Sequence, residues 1–129
     1  LKTVTPLRLK VKGKLKASPD ISDIVLSALR RLRNIAYFHC NTTCNLLKDF
    51  DLETALSSVK IIEDNWYWQD FTRYSHRQRT KMKMGGAMGH ITLSGDLRML
   101  YPMLSVGTWV HVGKNTAFGL GIYRVNKHK

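Results

Sequence analysis

At 129 residues the chain is long enough for one domain that buries a hydrophobic core without disulfides or a structural metal. Its hydrophobic content of 43% is ordinary for a globular protein, which argues against disorder, and no apolar run approaches the roughly 18 residues of a membrane span. The 21 Lys and Arg residues against 9 Asp and Glu residues give a formal net charge of +12, which favours nucleic acid as a partner over a basic surface without a ligand.

The cysteines and the start of the chain bear on its cellular context. No signal-peptide pattern opens the chain, and two cysteines, Cys40 and Cys44, do not make a secreted disulfide framework. We therefore expect a reduced, cytoplasmic protein. Leu1 already precedes a strand-like stretch, so we expect residues 1–129 to be a single domain of a longer protein.

The first predicted strand runs from Thr5 to Leu15, where apolar and cationic residues alternate strictly. A period of two with one apolar face is typical of a half-buried strand. One predicted face holds Leu7, Leu9, Val11 and Leu15, and the other holds Arg8, Lys10, Lys12 and Lys14.

A helix is predicted next. The segment Ser18-Pro19-Asp20 offers a capping side chain and a proline for the first turn. Apolar residues then recur at intervals of three and four from Ile21 to Ala36, which is the stripe of a helix packed on a sheet. Three arginines lie on its exposed side: Arg30, Arg31 and Arg33.

The segment after this helix has a weaker pattern. Its His39, Cys40 and Cys44 suggest a metal site, but no second Cys/His pair lies at ligand spacing elsewhere. We therefore predict no metal and interpret both cysteines as small buried residues. A short helix is predicted from Asp51 to Leu56.

A long hairpin with a basic tip is predicted from Val59 to Ser94. Strand-forming residues between Val59 and His76 lead into a cationic cluster, and Gly85, Gly86 and Gly89 mark the return. Basic residues interleaved with aromatic ones could grip a nucleic-acid backbone and stack on bases. We expect the tryptophans Trp66 and Trp68 to be core residues. The candidate RNA contacts here are Arg73, Tyr74, Arg77, Arg79, Lys81 and Lys83.

The last quarter predicts a short helix from Leu97 to Leu104, interrupted by Pro102, and then two strands, Trp109 to Val112 and Leu120 to Val125. The loop between those strands is rich in glycine and carries one lysine. Such a loop could form a cradle for phosphate, although its order of residues is not that of a P-loop. Its candidate ligand residues are Gly113, Lys114, Asn115, Thr116, Gly119 and Gly121.

The order strand, helix, strand, strand, helix, strand predicts an α+β, ferredoxin-like sandwich, with an antiparallel sheet, two helices on one face and the glycine-rich loop before the last strand. Its first and third strands would be central, and the cationic side of the first strand, Arg8 to Lys14, would point away from the helices. No aromatic residue lies on that side, unlike an RNA-recognition motif.

Five segments in this order, TPLRLK, LRRLR, RYSHRQ, GGAMGHITLSGDL and VGKNTAFGLGIY, resemble the C-terminal half of CRISPR-associated endoribonucleases of the RAMP superfamily. These enzymes process precursor CRISPR RNA at its repeats. The resemblance implies two tandem ferredoxin-like domains, of which this chain is the second, and it implies that the glycine-rich loop contacts RNA.

The resemblance also implies cleavage without a metal or other cofactor, by attack of a ribose 2′-hydroxyl on the adjacent phosphate. The catalytic histidine of the better-known members lies in the first domain, so we expect this chain to bind RNA without cutting it. His76 and His111 are candidate acid–base groups, as histidines near the basic cluster and the loop, but the spacing of His76, His90 and His111 does not select among them.

Two other interpretations remain open: a non-catalytic RNA-binding RAMP subunit of a CRISPR effector complex, and a general basic RNA-binding domain. The expected partners are CRISPR repeat RNA, the missing N-terminal domain and other CRISPR-associated subunits, with no membrane. The apolar surface left by a missing domain could also support a homodimer.

Overall fold

The computed structural model describes residues 1–40 and 48–127, and this part of the chain contains both strands and helices. In chain order they are β1 (Lys2–Thr3), β2 (Lys10–Val11), β3 (Lys14–Leu15), α1 (Ile21–His39), α2 (Leu52–Ser57), β4 (Val59–Gln69), β5 (Thr72–Ser75), β6 (Thr80–Lys83), β7 (Gly86–Gly95), α3 (Leu100–Val110), a 3-10 turn (Thr116–Phe118) and β8 (Tyr123–Arg124).

The main sheet has the strand order β4-β7-β1-β8, and every neighbouring pair is antiparallel. The two central strands of the sheet are therefore β1 and β7, which correspond to the first and third strands of the predicted order. This order, with α1 and α3 packed against each other, is that of a ferredoxin-like α+β fold. The predicted fold class is confirmed.

The core lies between the sheet and the two long helices. Ile24 and Val25 of α1, Leu104 of α3, and Ile91 and Tyr123 of the sheet belong to one cluster of buried side chains. Burying a large aliphatic side chain stabilises a fold by roughly 1.5–3 kcal/mol, so this cluster is the main reason why α1 and α3 lie on the sheet.

Helix α1 begins where the sequence predicts. Asp20 is the N-cap, and its backbone N–H donates a hydrogen bond to Asp23 Oδ2 at 2.9 Å. Asp23 in turn accepts from Lys16 Nζ at 2.6 Å. The helix prediction from Ile21 to Ala36 is confirmed, because α1 spans Ile21–His39. Its apolar stripe is fully buried only from Ile21 to Leu29.

The predicted strand from Thr5 to Leu15 is not one strand. Pro6 has no N–H for a ladder, and only Leu7 bridges to Ala87 of β7. Lys12 and Gly13 both have positive φ and fold β2 back on β3 as a two-residue hairpin. Val11 is thus paired with Lys14, and the predicted separation of an apolar face from a cationic face is wrong.

Helix α3 is longer than predicted, and the predicted strand from Trp109 to Val112 is wrong. Pro102 lies in the first turn, where backbone N–H groups have no partner within the helix, so it does not interrupt the helix that begins at Leu100. Leu100, Leu104 and Gly107 are buried at helical spacing, and this packing outweighs the strand preference of the following Trp and Val. Trp109 itself is 86% exposed.

The long hairpin and α2 are present as expected. Strands β4 and β7 pair from Val59↔Gly95 to Gln69↔Gly86, with one irregularity between Ile61 and Glu63. Trp66 packs against the core as expected. Trp68 does not belong to the core, so that expectation is wrong: it is half-buried, and its Nε1 donates to Asp70 Oδ1 at 2.7 Å. Of the predicted last strand, Leu120 to Val125, only Tyr123–Arg124 is a strand, which is β8.

The cysteine prediction has a different outcome. Cys40 is the C-cap of α1 and is exposed, so its interpretation as a small buried residue is wrong. The end of α1 extends past the buried stripe, which leaves this position without a covering element among the described residues. Cys44 lies outside the described residues.

Candidate nucleic-acid interface

The glycine-rich loop, residues 111–122, is fixed to two neighbouring elements by its own backbone. The Gly113 N–H donates to Ser27 Oγ of α1 at 3.0 Å, and the Lys114 N–H donates to Arg8 O at 2.8 Å. On the other side of the loop, the Gly121 N–H donates to Pro6 O at 3.0 Å. The loop therefore has a defined conformation before any ligand binds.

Two of its glycines are required by this close approach. Gly113 has a φ of 88°, and a β-carbon there would lie 2.6 Å from Arg8 O. Gly121 has a φ of 80°, and a β-carbon there would overlap Val112 O. Gly119 also has a positive φ, 83°, but no atom lies within 4 Å of the position of its β-carbon. Residues other than glycine rarely adopt a backbone conformation with positive φ.

The internal hydrogen bonds limit what the loop can offer to an anion. The amides of Gly113, Lys114, Gly119 and Gly121 all donate to acceptors of the protein, so the predicted cradle cannot consist of these four donors. The side chains of the loop are more available. Lys114 is exposed, and Asn115 and Thr116 are half-buried beside it. A point charge next to two hydrogen-bonding groups suits a ribose-phosphate unit.

The basic tip of the long hairpin is a separate two-stranded ribbon, β5 and β6. Tyr74 pairs with Lys81, and Arg73 pairs with Met82. Because side chains alternate along a strand, Tyr74, Lys81 and Lys83 share one face of the ribbon and Arg73 lies on the other. Arg77 and Arg79 lie in the exposed turn between the strands.

The ribbon and the loop meet at one contact. The guanidinium carbon of Arg73 lies 4.2 Å from the centroid of the Phe118 ring, a cation–π arrangement. Phe118 ends the 3-10 turn that begins at Thr116, so the contact joins the ribbon directly to the loop. The contact thus joins two segments that are distant in sequence.

Comparison with known protein families matches residues 1–123 to the model of the CRISPR-associated endoribonuclease Cas6. The chain belongs to the Cas6 family. Comparison with individual curated proteins gives no significant match. Family membership confirms the resemblance described from the sequence, and the function of the family is the processing of CRISPR repeat RNA by an endoribonuclease. Repeat RNA is accordingly the partner that this membership supports.

The three histidines weighed from the sequence lie on different elements of this Cas6 chain. His76 is exposed in the ribbon turn, with its ring 5.1 Å from that of Tyr74. His111 follows the last residue of α3 and has a φ of 59°. His90 lies in β7, with its Nε2 3.2 Å from Glu63 Oε1. The structure provides no acid–base pair among them, and the catalytic candidates His76 and His111 stay predictions.

No group of three or more His, Cys, Asp and Glu side chains in residues 1–40 and 48–127 has the arrangement of a metal site. None of the helices in this part of the Cas6 chain has both the length and the apolar character that crossing a membrane requires.

One basic surface of the Cas6 chain was not predicted. The β2–β3 hairpin, the exposed side of α1 and the start of the glycine-rich loop enclose a cleft of 720 Å³, which we call the basic cleft. Its cationic lining residues are Arg8, Lys10, Lys12, Arg30, Arg31 and Lys114. The expectation that the row Arg8 to Lys14 points away from the helices is therefore wrong for Lys10 and Lys12, because the hairpin turn brings them to the same cleft as the arginines of α1. Lys14 does not line the cleft.

A sequence signal for the basic cleft exists. Lys12-Gly13 between two short alternating segments is a pattern that favours a two-residue turn, and a turn there would have replaced the continuous strand by a hairpin. The local sequence pattern does not indicate that this hairpin lies beside α1 and the glycine-rich loop.

Proposed function

We propose that this chain is the RNA-binding, C-terminal domain of a two-domain Cas6 endoribonuclease, and that the ribbon and the glycine-rich loop together hold CRISPR repeat RNA. The observation that supports this is the contact between Arg73 and Phe118, which joins the cationic ribbon to the loop that carries Lys114. Cations on such a surface neutralise phosphates and release counterions from the RNA.

The reaction proposed for the whole protein needs no metal. A ribose 2′-hydroxyl loses its proton to a general base and attacks the adjacent phosphorus, and the bond to the 5′-oxygen breaks as that oxygen gains a proton. The products are a 2′,3′-cyclic phosphate and a 5′-hydroxyl. Negative charge develops on the phosphate oxygens, and lysine or arginine side chains aimed at them lower the barrier.

The role proposed for this chain is to bind and orient the RNA, with the acid–base histidine supplied by an N-terminal domain. The positions of the two candidate histidines in this chain, His76 and His111, support this division of roles between the two domains. His76 lies in an exposed turn with its ring against Tyr74, and His111 follows the last residue of α3. The proposal accordingly assigns them no part in the proton transfers.

The test compares the 129-residue chain with the longer protein, using a transcript of one CRISPR repeat from the source genome and excess EDTA. We expect the chain to bind the transcript without cleaving it, and the longer protein to cleave it to a cyclic phosphate. His76→Ala and His111→Ala in the longer protein should leave cleavage within a few-fold of the wild-type rate.

Other outcomes separate the alternatives. Cleavage by the 129-residue chain, or its loss in either histidine variant, would overturn the proposed division of roles. A longer protein that binds the transcript and never cleaves it would indicate a non-catalytic subunit. Equal binding of the repeat and of unrelated RNA would indicate a general RNA-binding domain.

A further inference from the structure

We propose that the basic cleft is a second RNA site, which binds a stretch of ribose-phosphate backbone that continues from the part held by the ribbon and the loop. This inference rests on the proposed function, because it deepens the way in which the same domain holds repeat RNA. It adds residues of the hairpin β2–β3 and of helix α1, and it shares the start of the glycine-rich loop with the first site.

The cleft is built from fixed walls. The loop wall is held to α1 by the hydrogen bond from Gly113 N to Ser27 Oγ at 3.0 Å. The same wall is held to the chain before β2 by the bond from Lys114 N to Arg8 O at 2.8 Å. The β2–β3 hairpin forms another wall, and the backbone pairing of its two strands holds it in shape. A site with fixed walls loses little conformational entropy when a ligand binds.

The charge in the cleft is almost entirely positive. Among the residues that line it, Asp23 is the one carboxylate, and its Oδ2 already accepts from Lys16 Nζ at 2.6 Å. Within the described part of the chain, none of the six cations of the cleft lies within 4.0 Å of a carboxylate. Cations that surround a cleft without counter-charges repel one another, and a polyanion removes that repulsion.

The neutral groups of the cleft suit RNA. The lining includes Ser27, Asn34, Asn115 and Thr116, which can donate to phosphate oxygens or exchange hydrogen bonds with a ribose 2′-hydroxyl. The Ser27 hydroxyl accepts from Gly113 N and retains its own proton for a ligand.

The position of the cleft connects it to the first site. Thr116 begins the 3-10 turn and lines the cleft, and Phe118 ends the same turn and contacts Arg73 of the ribbon. The cleft and the ribbon therefore lie on the two flanks of one three-residue turn. A backbone that crosses this turn can reach both sets of cations.

The test uses three variants of the 129-residue chain with equal loss of charge. The cleft variant is Lys10→Gln, Lys12→Gln, Arg30→Gln; the ribbon variant is Arg77→Gln, Arg79→Gln, Lys81→Gln; and the control is Lys48→Gln, Lys60→Gln, Lys127→Gln. All nine positions are exposed, so each variant should fold, which the thermal melt checks. Arg8 and Arg31 are left intact because they bond to Gly85 O at 2.7 Å and to Val110 O at 3.2 Å.

The measurement is fluorescence anisotropy of a labelled repeat transcript, and of a uridine oligonucleotide of equal length, over a range of salt concentrations. If three backbone contacts are lost, the slope of log K against log salt should become shallower by about 2 units, since each phosphate contact contributes about 0.7 to 0.9. We expect this for the cleft variant with both RNAs, because contacts to phosphate do not depend on sequence. Affinity at low salt should fall about tenfold or more, and the control should stay near wild type.

The outcomes distinguish the two proposals. If the ribbon variant loses affinity and the cleft variant matches the control, the inference is overturned and the proposed function stands. If neither variant differs from the control, or if wild type binds no repeat RNA, the proposed function fails together with the inference. A cleft that binds an acidic protein would also leave RNA binding unchanged in the cleft variant, and so would count against this proposal.

Discussion

The Arg73 guanidinium carbon lies 4.2 Å from the centre of the Phe118 ring, and this pair joins the basic ribbon to the glycine-rich loop. Arg73 is on the face of the ribbon opposite Tyr74 and Lys81, so its side chain reaches the loop while theirs lie on the other face.

This junction can be measured by a double-mutant cycle. Arg73→Gln and Phe118→Ala should each weaken binding of repeat RNA, and the double variant should lose less than the sum of the two. A cation–π pair at an exposed site contributes roughly 0.5–1 kcal/mol, so the expected coupling is about two- to five-fold in affinity. Strictly additive losses would mean that the ribbon and the loop bind independently.

The loop conformation depends on Gly113 more than on Gly119, although both have positive φ. Gly113→Ala adds a β-carbon 2.6 Å from Arg8 O, whereas Gly119→Ala meets no atom within 4 Å. We expect Gly119→Ala to cost about 1–2 kcal/mol of unfolding free energy from backbone strain alone. Gly113→Ala should cost at least about 1 kcal/mol more. Urea unfolding followed by circular dichroism checks this, and equal costs would contradict the close approach of the loop to Arg8.

Tyr123 should make stability depend on pH in the alkaline range. Its hydroxyl is buried and donates to Leu104 O at 2.8 Å, and burial raises the pKa of this phenol well above its usual value near 10. Above pH 10 the unfolded chain loses the proton that the folded protein keeps. The contribution of Tyr123 to the free energy of unfolding is therefore constant below about pH 10. Above that pH it falls by up to about 1.4 kcal/mol per pH unit.

Tyr123→Phe is the matched variant for this dependence. At neutral pH it should cost about 0.5–1.5 kcal/mol for the lost hydrogen bond. Between pH 10 and pH 11 it should unfold with a shallower pH dependence than wild type. Urea titrations at several pH values give both quantities, and parallel curves for the two proteins would show that Tyr123 does not ionise on unfolding.

Trp109 and Leu104 test the extent of helix α3. Trp109 is 86% exposed and Leu104 is 3% exposed on the same helix. We expect Trp109→Ala to change the unfolding free energy by less than about 0.5 kcal/mol. Leu104→Ala should cost about 2–5 kcal/mol because it leaves a cavity in the core. If residues 109–112 were a core strand, the loss of the Trp109 side chain would be costly, and thermal or urea unfolding would show it.

Local pattern was sufficient for several parts of this protein. The apolar stripe from Ile21, with Asp20 before it, determined α1, and the pairing of β4 with β7 followed from two runs of strand formers around a basic tip. The order of elements determined the ferredoxin-like class. The motifs from Thr5 to Tyr123 were enough to indicate the family, since each of them is local in the sequence.

Other parts were decided by contacts between distant residues. The local sequence from Trp109 to Val112 favours a strand, but the burial of Leu104 and Gly107 against α1 and Tyr123 makes its first two residues helical. Alternation from Thr5 to Leu15 favours one strand, but Pro6 and the turn at Lys12 and Gly13 break it.

Charge and composition by themselves indicated a basic, folded chain and favoured nucleic acid as its partner. The tertiary structure decided which cations lie together: Arg73 beside Phe118, and Lys10 opposite Arg30 across the basic cleft. The physical reason is that helix and strand periodicities depend on residues a few positions apart. A charged surface depends instead on which elements the core packs side by side.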